Sequence, residues 1–266
     1  AKKLGLLREL EALETDVVKI GSGEWAIAGL YRVGEGYKRL ADAVRKAPLP
    51  PEAVSAEQKL EYATTVESAI AGPLDETAKA SFKACLDKAN ELKVISPYVA
   101  GCASSATREP VLPGDPPPPR GGRARPPADL TAQLAKDPLN AGLLSRIANG
   151  YLGGGDPYTA ELIARRAIEV DDSASEAHTI LAFALLRRGE LSDAHDAFEA
   201  AAERAPGQPK EWLNLAAHQY AYGDPRKAVE SLKRAQNPRS VNLGASDVHP
   251  TARKLMTDAA RLMSLK

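Results

Sequence analysis

The chain has 266 residues, with 35 Lys plus Arg set against 35 Asp plus Glu, for a formal net charge of zero. That length suffices for one or two domains with a sizeable core, and the charge balance gives no support for a nucleic-acid or membrane-surface partner. Aromatic residues make up only 5% of the chain and alanine is abundant, which suits closely packed helices better than a β-sandwich, and no apolar run approaches the roughly 18 residues needed to cross a bilayer.

Residues 1–20, "AKKLGLLRELEALETDVVKI", are amphipathic and charged throughout, unlike a secretory signal. No capping residue precedes them, so they read as the middle of a helix, and residue 1 as the cut edge of a longer protein. Three apolar stripes at helical spacing follow. The first is Ile27, Leu30, Tyr31, Gly34, Tyr37, Ala41 and Val44; the second is Leu60, Ala63, Val66 and Ile70; the third is Ala78, Phe82, Cys85, Ala89 and Leu92. Pro48, Pro50 and Pro51 separate the first two, and "AGPL" (71–74) is expected to separate the next two. Ser96 and Pro97 are expected as N-cap and first turn of a short helix. Residues 1–108 thus read as a domain of degenerate helical hairpins.

Cys85 and Cys102 flank the turn near Val94 at similar distances. In an antiparallel hairpin that symmetry places them opposite one another, so a disulfide is expected, which fits an oxidising compartment; two buried thiols are the alternative. Their 17-residue separation is no CxxC redox or zinc motif.

Residues 109–128 hold eight prolines and three glycines among twenty. They read as a semi-rigid spacer, with a polyproline docking motif in "PPPPR" as the alternative. Beyond them the chain repeats itself every 34 residues. Leu144, His178 and Trp212 align, as do Ile147, Leu181 and Leu215, then Ala148, Ala182 and Ala216. Gly155, Gly189 and Gly223 follow, each before an acidic residue, then Ala160, Ala194 and Ala228, and finally Ala167, Ala201 and Ala235. The glycines allow sharp turns, the alanines allow close helix approach, the large apolar residues make one buried stripe per helix, and Pro206 and Pro238 stop the second helix. One hairpin cannot bury its own apolar face, so the copies are expected to stack. Residues 241–266 end in one more amphipathic helix with Leu255, Ala259, Leu262 and Met263 on its apolar face, a cap for the open end of the last repeat.

This pattern resembles the tetratricopeptide repeat. Residues 175–206 match best, through Leu181, Ala182, Gly189, Ala194, Phe198, Ala201 and Pro206. Residues 209–238 follow from Trp212, and 141–172 match more loosely, with Ala164 where a bulky residue is usual. The resemblance implies an all-α fold, an α-solenoid of helical hairpins over 129–240, so that two helical bodies are joined by the Pro-rich linker. In the N-terminal half, Gly23-Glu24-Trp25-Ala26, Leu30-Tyr31-Arg32, the Pro48-x-Pro50-Pro51 break and Pro73-Leu74 opening a long helix are similar to the tetratricopeptide proteins of the myxobacterial gliding-motility (Glt) envelope machinery. That similarity implies a periplasmic, envelope-associated scaffold.

No catalytic constellation is evident. His178, His195, His218 and His249 show no H-x3-H or HExxH spacing, and His178 stands in a core column. "LGGGDP" (152–157) lacks the lysine and the preceding strand of a phosphate loop. The expectation is a non-enzymatic protein–protein scaffold with no cofactor or metal, binding a protein or peptide and other envelope-complex subunits but no nucleic acid. A pilotin-like assembly factor for a secretin, a regulatory domain of a larger enzyme, and a cytoplasmic location are the alternatives. By resemblance, the first helix of each hairpin lines a concave groove. Its candidate partner-binding residues are Asn149, Leu152, Thr179, Phe183, Leu186, Arg187, Leu213 and Tyr220. Leu152, Phe183, Leu186, Leu213 and Tyr220 would make an apolar strip for a helix or extended peptide, unless the C-terminal helix or inter-repeat packing already covers it. Limited proteolysis of the whole chain should cut first near Arg120–Arg125; protection there would rule out a tether.

Overall fold

The computed structural model describes residues 2–20, 22–51, 55–104 and 128–263, and these are helical with no strand among them. The expected linker lies outside the described residues, except Ala128, which opens a helix. Two compact units are present, Ala1–Val94 with Tyr98–Pro110, and Ile95–Pro97 with Val111–Lys266. The tripeptide Ile95–Pro97, expected within the first domain, groups with the second.

The first unit contains α1 (Lys2–Ile20), α2 (Gly23–Arg45), α3 (Ala56–Val66), α4 (Gly72–Leu92) and α5 (Pro97–Ala103), the last opening on the second unit's Pro97. Its core joins Ile27, Tyr31, Tyr37 and Ala41 of α2 to Leu74, Ala78, Phe82, Cys85 and Ala89 of α4. Gly34 allows this approach, because a Cβ there would stand 2.7 Å from the Phe82 ring. Tyr37 donates to Glu11 at 3.0 Å and so ties α1 to α2. Cys85 and Cys102 are joined in a disulfide, with Cα atoms 6.3 Å apart, linking α4 to α5. Pro97 opens α5 as expected, but the Ser96 hydroxyl makes no capping bond and is buried without a partner.

Two expectations fail here. "AGPL" does not separate helices: α3 runs into α4 through a π-helical turn, Glu67–Ala71, whose following Gly72 N–H donates to Glu67 O. Pro73 brings no N–H to the helix, and a wider turn carries the chain past it. Arg45 clamps that turn, bonding Glu67 at 2.7 Å and Asp75 at 2.5 Å. The extra residue in the π turn rotates the upstream helix face by about 100°. The stripe at Leu60, Ala63, Val66 and Ile70 therefore does not continue the buried face of α4. Leu60 is 69% and Ile70 47% exposed, and α3 buries no residue.

The second unit contains α6 (Ala128–Lys136), α7 (Ala141–Gly153), α8 (Pro157–Val170), α9 (Ser175–Arg188), α10 (Leu191–Arg204), α11 (Pro209–Tyr222), α12 (Pro225–Arg234) and α13 (Ala252–Met263). Neighbours pack in pairs, α7 on α8, α9 on α10 and α11 on α12. The aligned columns are core apart from the glycines, of which Gly155 and Gly189 are half-buried. Ala148, Ala182, Ala216, Ala160, Ala194 and Ala228 are each 0% exposed. His178 is packed in its column, with Nε2 3.0 Å from Asp172 O. Gly155 and Gly189 take left-handed φ of 81° and 80°, which favours glycine, whereas Gly223 does not. At Gly223 a Cβ would instead stand 3.1 Å from Gln219 O. All three acidic residues after the glycines stand at N-caps, and two cap through the side chain: Asp156 accepts from Thr159 N–H and Asp224 from Arg226 N–H.

Ala182→Leu should cost about 1–3 kcal/mol in chemical denaturation, since a closed helix contact has no room for three more carbons. Leu60→Ala, at an exposed site, should stay within about 0.5 kcal/mol.

Candidate functional site

The eight candidate partner-binding residues lie on α7, α9 and α11, all in the second unit. Asn149 and Arg187 are exposed and Leu186 is half-buried. Arg187 donates to the Leu152 carbonyl, which bridges α9 to α7. The other five residues are core: Leu152 is 5%, Thr179 2%, Phe183 6%, Leu213 0% and Tyr220 7% exposed. The open apolar strip is therefore not present. Phe183 sets its ring edge-on to Phe198 at 5.2 Å, inside the cluster between α9 and α10. Leu213 and Tyr220 are covered by α13: with Ala216 and Ala217 they share one cluster with Ala252, Leu255 and Ala259. Leu255 and Ala259 thus take the buried face expected of them, and the Met263 side chain lies outside the described residues.

Polar groups fasten this cover. Tyr220 Oη donates to Asp258 at 2.5 Å. Lys210 reaches Asp247 at 2.6 Å. The Asn214 side chain donates to Asp247 O at 3.0 Å and accepts from His249 N–H at 2.8 Å, so one amide grips the backbone ahead of α13. Beside it, Thr179 donates to buried Glu211 at 2.6 Å. Burial pushes the Glu211 carboxyl up, against the opposing pull of Thr179 and Lys210. Burial works against the Lys210 charge, but its bond to Asp247 and the nearby Glu211 hold its pKa above the usual value. Burial would likewise raise Asp247, yet Lys210 draws it below the usual carboxylate range.

Three histidines meet behind this face. His195 and His218 rings lie 5.9 Å apart, and His218 and His249 rings 5.6 Å apart. His218 Nε2 bonds Leu191 O at 2.9 Å. Nδ1 of His195, Nδ1 of His218 and Nε2 of His249 are buried without a hydrogen-bond partner. Among the described residues, no group of three His, Cys, Asp or Glu is placed to hold a metal ion. Sequence spacing missed this cluster because its members come from three separate segments. The available signal was "EWLNLAAHQYAY" (211–222), where Glu211, Asn214, His218 and Gln219 interrupt an otherwise apolar helix and all four are buried.

No protein-family model matches the chain, and no curated protein matches it. No described helix is long and apolar enough to cross a membrane.

Phe183→Ala should lower folding stability by about 3–5 kcal/mol, as a buried aromatic truncation does, while Asn149→Ala should change it by less than about 0.5 kcal/mol. Denaturant titration of the full chain reads both. Equal, small effects would restore the open strip.

Proposed function

We propose that the chain is a non-enzymatic scaffold of tetratricopeptide-type hairpins that binds protein partners in a periplasmic envelope complex, with gliding-motility machinery as the assembly its N-terminal half resembles. The observation that carries this reading is the alanine register: the same two columns are fully buried in three successive helical pairs. A repeated close contact of this kind supports an array of hairpins, and such arrays act through the side chains they leave exposed. The Cys85–Cys102 disulfide supports an oxidising compartment. Asn149, Leu186 and Arg187 are the partner-facing residues of the groove, while Leu152, Thr179, Phe183, Leu213 and Tyr220 hold the helices that present them.

The test is affinity capture from the native envelope fraction with the full chain as bait. The same set of envelope proteins should be recovered, and Arg187→Glu should weaken capture about tenfold, equivalent to about 1.4 kcal/mol. Recovery of the native protein as part of a polypeptide with a catalytic domain would favour the regulatory-domain alternative. Non-reducing peptide mapping of the native protein should find Cys85 joined to Cys102; free thiols there would remove the support for the periplasm.

A further inference from the structure

His195 on α10, His218 on α11 and His249 in the loop before α13 form one cluster with the rings of Phe198 and Tyr222, in which His195 and Tyr222 are half-buried. His218 is 0% and His249 2% exposed. A neutral imidazole fits such a site, because it has one donor and one acceptor. An imidazolium has two donors and a charge, and three ring nitrogens here already lack partners. The surrounding charges do not compensate. From α10, Asp196 favours a charge on His195, and from α12 Lys227 opposes it. Around His218, both His195 and His249 oppose a charge, and only the Leu191 carbonyl favours one. The loop that carries His249 also carries Asp247, which is engaged by Lys210.

His249 belongs to the segment that covers α11. That segment is fastened by Lys210 with Asp247, Asn214 with the backbone at 247 and 249, Tyr220 with Asp258, and an apolar face of Val248, Ala252, Leu255 and Ala259 packed on α11 and on Ala228 and Leu232 of α12. Lifting it would bring His249 into water and open His218 to solvent, leaving the α11–α12 pair in place.

We propose that His195, His218 and His249 form an acid-sensitive latch: while neutral they keep the segment from Asp247 through α13 seated on α11, and acidification releases it to uncover Leu213, Ala217 and Tyr220. The proposal goes beyond the scaffold reading and does not depend on it. Burial lowers His249 to about 3, and His218 well below its ordinary value. In the released state both return toward about 6.5. The released state therefore binds protons first as pH falls below about 6.5, so the seat is stable above that pH and lost below it. The neighbouring carboxyls do not mimic this. Glu211 is pushed up by burial, so acid favours its buried form. Asp247 is held below the carboxylate range, so its pair with Lys210 persists to about pH 5.

Hydrogen exchange read by mass spectrometry tests this on the full, disulfide-intact chain at pH 7.5 and 5.0, with rates corrected for intrinsic chemical exchange. Released His249 alone accounts for about a thirty-fold loss of protection across that range. The loss should be confined to peptides covering 247–263, with α9 and α10 unaffected. His249→Phe keeps an aromatic ring in the cluster and should remove that roughly thirty-fold share, leaving only the part that His218 contributes. Should that variant fail to fold, Asp258→Asn serves instead: it weakens one fastener, should raise exchange of the same peptides at both pH values, and should leave the pH response intact. Unchanged protection between the two pH values, an equal loss throughout α7–α12, or a full response in a folded His249→Phe would each overturn the latch.

Discussion

The C-terminal unit depends on helix axes coming close enough for Cβ atoms to be the largest groups between them. The columns at Ala148, Ala182 and Ala216 and at Ala160, Ala194 and Ala228 have no exposed surface. An interface of this kind has little tolerance in either direction, because interiors pack to near-crystalline density. It also fixes which larger side chains can be placed nearby. Phe198 fits between Phe183 and the histidine rings, and Leu185 and Leu215 fill what the alanines leave. The same close approach leaves α9 and α11 buried along most of their lengths, which is why polar residues on them must find partners inside the protein.

Those partners organise the end of the chain. Glu211 takes a hydrogen bond from Thr179 on the preceding helix pair, while Lys210 and Asn214, beside it on α11, hold Asp247 and the backbone of His249. Buried polar contacts of this kind contribute less to net stability than to uniqueness, since misplacing them leaves a desolvated group unpaired. The arrangement defines one seat for α13. A purely apolar face would accept an amphipathic helix in several registers.

Much of this was legible in the sequence, and the gaps have physical causes. The repeated hairpins could be read because the positions holding glycine and alanine are the ones least able to accept anything larger, and their spacing recurs. The Cys85–Cys102 pairing followed from symmetry about one turn, a local relation. The apolar strip was misread because composition shows which side chains avoid water but not what covers them. For Tyr220 the cover includes Asp258, 38 positions later. The histidine cluster escaped spacing arguments for the same reason, each member belonging to a different segment, and only the polar residues of 211–222 pointed toward it. At Pro73 the expected break did not occur, because a missing N–H interrupts a helix only if the turn cannot widen to pass it. For Asn149, Leu186 and Arg187, periodicity marks a face of a helix but carries no information about what docks there.

The run from Ala56 to Leu92 has a further consequence. A free eleven-residue helix is marginal in water, because the first turn must be ordered before any bond rewards it. α3 avoids that step: α4, anchored by Leu74, Ala78 and Phe82, supplies a nucleus already formed, and α3 extends it. The Ser55–Gln58 capping box closes its far end. The result is a rod about 16 Å long, at 1.5 Å per residue, held by its continuity with α4 at one end and its own cap at the other. Its surface is consequently free to vary in sequence, as a linker is, while keeping a fixed bearing, as a linker does not.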